Sequence, residues 1–476
     1  MTSRLRALAC AAALSLVAVA CSEPVEDDAA PATVDAEQTE QSEQTEPDEA
    51  ESTSEEEGEG EGDDGVEESE SEPSDEAAVD DGSVVFDFGG QEWSLGAVPT
   101  QATPADDSLE PIRIGMINQE NTPLGSFPEM RSAAEAAVAF VNAELGGVDG
   151  RPIELTTCIT SFSVEQSQAC AQQMVQEGVV ALAGGIDVTS NGSIPVLQQN
   201  NIPTVGGVPA NLVEQQSPIN FFFSGGGAGG TAGFLAHAAE NGAETVVVAY
   251  GEFDSFEVAA RDYGAVVGES LGLNVELVSF PIVGADYLPI LTTAAELDAD
   301  GLVVLAADTA CIPVMEGAKQ LELRAQLYLV GSCAAETIID AAGDNIENVL
   351  FNSEGPLDPD DVEGNIFQAV IEEYATEPAG GVGTVGFRSF MNLYLLLREL
   401  GGDNITSQSI IDLVSSGEER TSYWGHSYTC DGQRVPGLPA LCAPEQILFF
   451  VPPGGLPTQA TEWIETDDLF QAAITE

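Results

Sequence analysis

Short apolar runs alternate with amphipathic stretches between residues 111 and 330. Runs rich in Val, Ile and Leu predict buried strands, and stretches with a 3.6-residue period predict helices. The predicted strands are 111–117, 152–157, 179–183, 202–205, 220–223, 245–250, 274–280, 301–306 and 326–330. The predicted helices are 130–145, 164–176, 190–199, 231–241, 256–271, 287–297 and 312–321. This alternation predicts an α/β fold with parallel sheets covered on both faces, and a ligand at the carboxyl edge of the strands.

The chain is too long for one ordinary core. About 365 residues follow Leu109, more than a single hydrophobic core usually accommodates, so we expect two lobes. The composition is strongly acidic, with a formal net charge of −69, and Lys319 is the only lysine. Nucleic acids and anionic lipids favour basic surfaces, so the composition argues against both as partners.

The first residues have the pattern of an export signal. Arg4 and Arg6 precede the apolar run 7–20, and small residues lead to Cys21. This pattern is typical of a secretory signal peptide, and a cysteine at that place resembles a bacterial lipobox. We therefore expect a signal peptide at 1–20, acylation of Cys21 and a location outside the cytoplasm. An ordinary signal peptide or a membrane-spanning anchor is the alternative, although the run is shorter than the roughly 20 residues a span needs.

An acidic segment follows Cys21. Residues 22–81 are Glu, Asp, Ser, Thr, Gln, Pro, Ala and Gly with hardly any apolar side chains, a composition that predicts a disordered, extended stalk. We assign 21–108 to this stalk, with a short apolar hairpin near 84–95. A tail that binds a basic partner is the alternative interpretation.

The six cysteines beyond Cys21 form three pairs that are local in sequence. An even number in an exported chain predicts disulfides, and local pairing is the simplest arrangement. The expected pairs are Cys158–Cys170, Cys311–Cys333 and Cys430–Cys442. Cys311 and Cys333 each follow a predicted strand, and neighbouring strands lie close enough for a bridge. With two histidines and no C-x-x-C motif, we expect no metal site.

The glycine run at 225–230 contains a literal G-x-G-x-x-G between a predicted strand and a helix. This spacing is typical of dinucleotide-binding proteins, so an oxidoreductase is one alternative. A flexible crossover between lobes is the other, and we favour it because an exported protein has no obvious supply of NAD. No other catalytic motif appears in the sequence, so we expect a protein without a cofactor that is not an enzyme.

Three stretches carry a family resemblance. Residues 112–118 read Ile-Arg-Ile-Gly-Met-Ile-Asn, and residues 145–155 read Leu-Gly-Gly-Val-Asp-Gly-Arg-Pro-Ile-Glu-Leu. Residues 384–387 read Thr-Val-Gly-Phe ahead of a predicted helix at 389–400. In this order they resemble branched-chain amino-acid-type (leucine/isoleucine/valine-binding-like) solute-binding lipoproteins of ABC transporters. The resemblance implies a type I periplasmic-binding-protein fold, two Rossmann-like lobes joined by three crossovers.

The resemblance also implies domain limits and partners. Lobe 1 would comprise 109–224 plus about 353–405, and lobe 2 would comprise 225–352 plus about 406–476, with a hairpin at Cys430–Cys442. Hinges are expected near 224–230 and 352–355. The protein would be a membrane-anchored monomer that delivers a small polar solute, an amino acid or a related compound, to an ABC permease. A ligand-sensing module of the same fold is the alternative.

Ligand contacts follow position by position from the resemblance. Thr189 or Ser190 would hold a carboxylate at a helix start, although either could simply cap that helix. Phe256 or Phe253 would cover the solute, and Asp254 or Glu252 would face an ammonium group. The other implied contacts are Ser126, Phe127, Ala210, Asn211 and Ser332. Hydroxyl groups that the family places beside Ala210 are missing here, which argues against an ordinary leucine-type ligand.

Overall fold

The computed structural model describes residues 104–122, 125–357 and 361–475, and two further strands at Val85–Phe88 and Gln91–Ser94. The predicted signal peptide, Cys21, Leu124 and the acidic segment lie outside the described residues. The two early strands, β1 and β2, pair antiparallel with Val85 opposite Ser94. They lie within the segment for which the sequence predicts a hairpin.

The first sheet is parallel and has five strands. Its spatial order is β4-β3-β5-β6-β7, so the order along the sheet changes direction beside β3. The strands are β3 (Ile112–Gln119), β4 (Ile153–Thr160), β5 (Ala181–Ala183), β6 (Thr204–Val205) and β7 (Asn220–Phe221). The helices between them are α1 (Pro128–Ala143), α2 (Val164–Glu177), α3 (Ile194–Gln199) and α4 (Leu212–Gln215).

The second sheet repeats this order and extends it. Five parallel strands lie in the order β9-β8-β10-β11-β12, and β13 and β14 add two antiparallel strands beside β12. The strands are β8 (Thr245–Gly251), β9 (Asn274–Phe280), β10 (Gly301–Leu305), β11 (Gln326–Leu329), β12 (Val349–Ser353), β13 (Ile447–Phe450) and β14 (Thr458–Gln459). Each of the predicted strands between residues 111 and 330 is thus present, and the α/β fold class is confirmed.

Helices accompany the second sheet and link the two sheets. They are α5 (Gly226–Glu240), α6 (Asp254–Val258), α7 (Ala265–Ser270), α8 (Leu288–Glu296), α9 (Cys311–Gln320), α10 (Glu336–Ala342), α11 (Val362–Tyr374), α12 (Gly383–Leu400), α13 (Ser407–Val414) and α14 (Asp467–Thr475). Helices α6 and α7 are joined by one wide turn of π-helix at Ala259–Gly264.

Local sequence accounts for where helices begin and end. Ser163 caps α2, since its hydroxyl accepts the Gln166 amide, and Gly178 ends the helix with a left-handed φ of 68°. Helix α1 begins at Pro128, a residue whose missing amide hydrogen costs nothing in the first turn. These signals explain why the predicted bounds of the longer helices are nearly right.

The glycine run is helical. The sequence predicts a flexible crossover at 225–230, but α5 begins at Gly226. A Cβ on Gly229 would lie 2.7 Å from the carbonyl oxygen of Pro444, and a Cβ on Gly225 would lie 2.7 Å from the Pro444 Cα. The glycines therefore allow the start of α5 to pack against the chain near Pro444. This corrects the crossover prediction and gives these glycines a packing reason that needs no nucleotide.

The last return between lobes comes later than predicted. Ile410, Tyr423 and Cys442 are buried in the same core as Ile112 and Phe390 of the first lobe. The chain joins the second sheet only at β13, although Val435 and Leu441 already pack in the second core. The boundary near residue 406 is therefore replaced by a late loop whose residues contribute to both cores. The described backbone shows no regular hairpin between Cys430 and Cys442. Prolines in that segment cannot donate to a ladder, which explains this difference from the prediction.

The predicted disulfide pairing is confirmed. Cys158–Cys170 joins β4 to α2, Cys311–Cys333 joins the start of α9 to the turn after β11, and Cys430–Cys442 closes the late loop. The Cα atoms of Cys311 and Cys333 lie 5.4 Å apart because β10 and β11 are hydrogen-bonded neighbours. The sequence argument for this bridge rested on the same adjacency.

Candidate ligand-binding cleft

A cavity of about 510 Å³ lies where the carboxyl edges of the two sheets face each other. The loops after β8, β10, β11 and β12 line one side, and those after β3, β4, β5 and β6 line the other. In open α/β sheets this edge is the usual ligand site, especially where the strand order reverses. The loop after β8 and the loop after β10 flank such a reversal in the second sheet. The carboxyl edges of both sheets, where ligands usually bind, therefore meet at one cavity.

The walls of the cavity are mainly apolar and aromatic. Phe253 and Phe256 project from the start of α6, with ring centroids 5.8 Å apart and nearly perpendicular planes. Phe367 and Trp424 also line it, and their ring centroids lie 5.2 Å apart. Phe127, Val188 and Val208 contribute from the first lobe. A volume and lining of this kind are typical of sites for small organic molecules.

A buried ion pair lines the cavity at the first-lobe side of the crossovers. Arg388 on α12 lies 3.0 Å from Glu354, measured from Nη2 to Oε2, and their side chains are 6% and 15% exposed. Arg388 also donates to the Glu354 carbonyl oxygen. The Ser224 hydroxyl donates to the second carboxylate oxygen of Glu354 and accepts from the Gly226 amide at the start of α5. These contacts leave both charges matched within the protein.

A second carboxylate lines the cavity without a basic partner. Asp308 follows β10 and is partly buried. Among the described residues, no basic side chain forms an ion pair with it, and the one arginine in the lining pairs with Glu354. Burial raises the pKa of Asp308, and a hydrogen bond from the neighbouring Ser332 partly opposes that effect. Burial without a basic partner disfavours the ionised form of Asp308. A ligand cation beside Asp308 would supply that partner and would favour the ionised carboxylate.

Trp424 is held in an uncommon backbone conformation at the cavity wall. Its φ is +50°, a region that bulky residues seldom adopt, and its amide donates to the Glu363 carboxylate at 2.5 Å. Burial raises the pKa of Glu363 to about 7, with the Trp424 amide acting in the opposite direction and nearby Asp361 raising it further. The Glu363 bond therefore supports the position of the indole ring.

Five predicted site residues do line the cavity: Phe127, Ala210, Phe253, Phe256 and Ser332. The Ala210 carbonyl oxygen accepts a hydrogen bond from the Ser255 hydroxyl at 2.8 Å. Since Ala210 belongs to the first lobe and Ser255 to α6, this bond joins the two sides of the cavity. The sequence could not reveal this contact, because the two residues come together only when the lobes face each other.

The other predicted contacts lie elsewhere. Ser126 and Asp254 are exposed and do not line the cavity, and the Ser126 hydroxyl accepts the Asn121 amide. Asn211 caps the short helix α4 and donates to the Val188 carbonyl oxygen. The resemblance implies contacts at these positions, but Ser126 and Asn211 use their polar atoms in local hydrogen bonds and Asp254 lies outside the lining.

Thr189 and Ser190 belong to a buried polar cluster beneath the cavity wall. The Thr189 hydroxyl donates to Asp187, and the Ser190 hydroxyl lies beside the buried carboxyl of Glu214. Burial raises the pKa of Glu214 well above its usual value, and the nearby Asp187 carboxylate adds to that effect. Helix α3 begins only at Ile194, so the predicted helix start at residue 190 is wrong. Neither hydroxyl therefore sits at the helix start where a carboxylate was expected.

Sequence reasoning missed the charged and aromatic residues that matter most here. Glu354, Arg388, Asp308 and Trp424 all line the cavity. The available signal was weak: Asp308 lies just beyond a predicted strand, and Arg388 interrupts an apolar helix. Trp424 and Glu354 carry no local pattern, since only the crossovers bring them to the cavity.

A separate acidic cluster lies in the late loop and the chain end. Carboxylate oxygens of Glu445, Glu465 and Asp467 lie within 4.8 Å of one another. Arg434 pairs with both Glu445 and Asp467, and His426 lies 3.4 Å from Glu445. Basic groups thus already occupy the positions that a metal ion would take.

Within the described residues, no helix combines the length and apolarity needed to cross a bilayer.

Comparison with known proteins agrees with this architecture. Residues 111–434 match the family described as periplasmic binding protein. This chain belongs to that family. Its members are binding proteins that work outside the cytoplasm, so the coarse prediction of an extracytoplasmic binding protein is confirmed. No curated protein sequence matches the chain.

Solved structures of this family share the fold. The leucine-binding protein of Thermotoga maritima is 19% identical, with 75% of this chain and 99% of that chain covered and a TM-score of 0.61. A solute-binding protein from Rhodopseudomonas palustris BisB5, in complex with 3,4-dihydroxybenzoic acid, is 17% identical over 75% and 97%, with a TM-score of 0.62. A fatty-acid ABC-transporter protein from Thermomonospora curvata is 13% identical over 78% and 96%, with a TM-score of 0.62. The predicted type I periplasmic-binding-protein fold is thereby confirmed.

Proposed function

We propose that this periplasmic binding protein captures a small organic solute in the cleft between its two sheets and delivers it to an ABC permease. The observation that carries the proposal is the shared cavity of about 510 Å³, to which both sheets contribute their carboxyl edges. A ligand bound there contacts both sides, so binding favours the conformation in which the sides approach. Two of the solved relatives named above, from Rhodopseudomonas palustris and Thermomonospora curvata, are binding proteins of ABC transporters, which supports the delivery role.

Membrane attachment is part of this proposal. Acylation of Cys21 would hold the protein at the outer face of the cell membrane, with the acidic segment after it as the spacer. The predicted stalk of 21–108 ends earlier than expected, because Ala105 and Asp106 already hydrogen-bond to the first lobe. Two features of the sequence support membrane attachment: the apolar run before Cys21 and the acidic composition after it. In this proposal the anchored protein acts as a monomer.

The amino-acid specificity implied by the resemblance remains a prediction. An α-amino acid needs donors for its carboxylate and an acceptor for its ammonium group. Thr189 and Asn211, expected to bind the carboxylate, use their side chains within the first lobe. The cavity instead offers aromatic walls and one unpaired carboxylate, Asp308. The charged group that a solute meets in the cavity is therefore not one that the resemblance implies, although the aromatic residues Phe253 and Phe256 are.

A thermal-shift screen of the purified full chain against small solutes tests capture in the cleft. A true ligand at a hundredfold excess over its dissociation constant should add roughly 2.7 kcal/mol to stability. Phe256→Ala should abolish that shift, because the ring lines the cavity. Leu456→Ala, at a position 82% exposed and outside the cavity, is the matched control and should leave it unchanged. A ligand whose shift is insensitive to every cavity substitution would place binding elsewhere and overturn the proposal.

A further inference from the structure

The charged side chains that line the cleft carry a net negative charge. Among the described residues, Arg388 is the only basic side chain in the lining, whereas Glu354 and Asp308 are both acidic. Arg388 is already paired with Glu354 by a 3.0 Å contact. Breaking a buried pair leaves an uncompensated charge and is costly, so Arg388 is a poor candidate for binding a ligand anion. The lining therefore has a net charge of −1 when both carboxylates are ionised, and its one basic side chain is already paired.

The helix starts at the cleft have local partners for their partial positive charge. Helix α5 has Ser224 at its first amide and Glu354 bound to that serine. Helix α6 carries Asp254 and Glu257 in its first turn. Near the start of α12, the amides of residues 383 to 385 donate to the carbonyl oxygens of residues 380 to 382. A ligand carboxylate would compete with these groups.

Asp308 is the carboxylate left for a ligand. It lies at the carboxyl end of β10, and Ser332 from the neighbouring strand end lies beside it and partly opposes the rise of its pKa on burial. Phe253 and Phe256 line the same cavity, and aromatic faces attract cations as well as apolar groups. The chain's formal charge of −69 adds a long-range field that concentrates cations near the surface and disfavours the approach of anions.

We propose that the cleft binds an organic cation: a protonated amine on an apolar body, whose nitrogen pairs with Asp308 and whose body packs on the aromatic walls. This inference rests on the proposed solute-binding function and narrows its solute class. An ammonium group beside Asp308 offsets the cost of burying that carboxylate in its ionised form, whereas a ligand carboxylate in the same place meets like charge. The ammonium partner implied by the resemblance, Asp254, is exposed and outside the lining, so Asp308 takes that position in this chain.

Isothermal titration calorimetry with isosteric probes tests the charge requirement. The full chain is titrated at pH 7.5 with three sets that share a body and differ in the head group. The sets are 2-phenylethylamine, 2-phenylethanol and 3-phenylpropanoate; 3-methylbutylamine, 3-methylbutanol and 4-methylpentanoate; and hexylamine, hexanol and heptanoate. At least one amine should bind, at least tenfold more tightly than its matched alcohol and carboxylate. No amine binding, or a carboxylate or alcohol that equals or exceeds its amine, would overturn the proposal.

Substitutions then locate the charge. Asp308→Asn should weaken the amine at least tenfold and change the alcohol's affinity less than twofold. Asp254→Asn is the matched control, since that exposed acid lies outside the lining, and it should leave both affinities within twofold. Equal loss of amine affinity in the two variants would show a general field effect and overturn the assignment to Asp308. Asp308→Ser provides the same test if the asparagine variant does not fold.

The screen described above separates this inference from the function itself. A neutral or anionic solute whose binding depends on Phe256 would leave the binding function standing and overturn the amine class. If no solute in that screen depends on a cavity residue, the proposed function itself fails.

Discussion

Arg388 and Glu354 join the first lobe to the point where the chain leaves the second sheet. Arg388 lies on α12, which packs in the first core, and Glu354 directly follows β12. Ser224, at the earlier crossing, donates to the same carboxylate. One carboxylate therefore connects two of the segments by which the chain passes between lobes, next to the ligand cavity.

We expect this pair to contribute strongly to stability. Arg388→Met should lower the free energy of unfolding by about 3 kcal/mol, because it leaves a buried carboxylate unpaired. The double variant Arg388→Met/Glu354→Leu should recover part of that loss. Urea denaturation measures each value. Arg324→Met is the control: that arginine pairs with Asp298 in an exposed position, and the change should cost less than about 1 kcal/mol. Similar losses for the two single variants would contradict this expectation.

The disulfide Cys311–Cys333 should affect binding as well as stability. Cys311 lies three residues after Asp308 and Cys333 directly follows Ser332, and both polar residues line the cavity. Replacing both cysteines by alanine should lower stability by roughly 3 kcal/mol and weaken ligand affinity. Removing Cys158–Cys170 is the control, since neither cysteine adjoins a residue that lines the cavity. It should lower stability to a similar extent and leave affinity unchanged. Calorimetry measures the ligand affinity of both variants. If the two bridges act only through global stability, both variants should show the same change in affinity, which would contradict this prediction.

Glu363 should make stability depend on pH in the acidic to neutral range. Its pKa is raised from 4.5 to about 7 in the folded chain, so the folded state binds a proton more tightly than the unfolded state does. For an acid shifted upward, the favourable contribution is present below pH 4.5 and is lost as the pH rises to about 7. Glu363→Gln should remove this dependence. The difference in unfolding free energy between wild type and variant, measured from pH 4 to 8, should therefore change across that window and be flat above it.

Ser255 should favour the conformation in which the two sides of the cleft approach. Its hydroxyl donates to the Ala210 carbonyl oxygen at 2.8 Å across the cavity. Ser255→Ala should weaken ligand binding by about three- to tenfold, the value of one ordinary hydrogen bond. Ser270→Ala is the control, because that hydroxyl bonds only within its own helix end. Unchanged affinity in Ser255→Ala would show that the bond is not coupled to ligand capture.

Cys21→Ser tests the anchor. If Cys21 is acylated after export, the serine variant should move from the membrane fraction to the medium, as followed by fractionation and immunoblotting. Cys10→Ser, within the predicted signal peptide, should not alter the distribution. Retention of the Cys21 variant in the membrane would point to a spanning anchor instead.

The sequence by itself determined the strand–helix alternation, and with it the class of fold. Continuous apolar runs are decisive because a strand buried on both faces needs them, and the turn at 145–155 adds a family-specific signal. The disulfide pairing also followed from the sequence, since partners that are close along the chain, or at the ends of neighbouring strands, meet at low entropic cost. Local capping residues such as Ser163 set helix ends well enough for nearly correct bounds.

Only the tertiary structure decided which polar groups reach the cleft. Thr189 and Asn211 have the residue types of ligand contacts, yet their side chains are bound to their own lobe. Asp308, Glu354 and Trp424 come from distant segments and meet at the cavity through the crossovers. Similarly, the glycines of α5 allow the chain at Pro444, more than two hundred residues away, to pack closely against this helix. The physical reason is the same in each case: hydrophobic periodicity is a local property of the chain, whereas the partner of a polar group or a glycine is set by long-range packing.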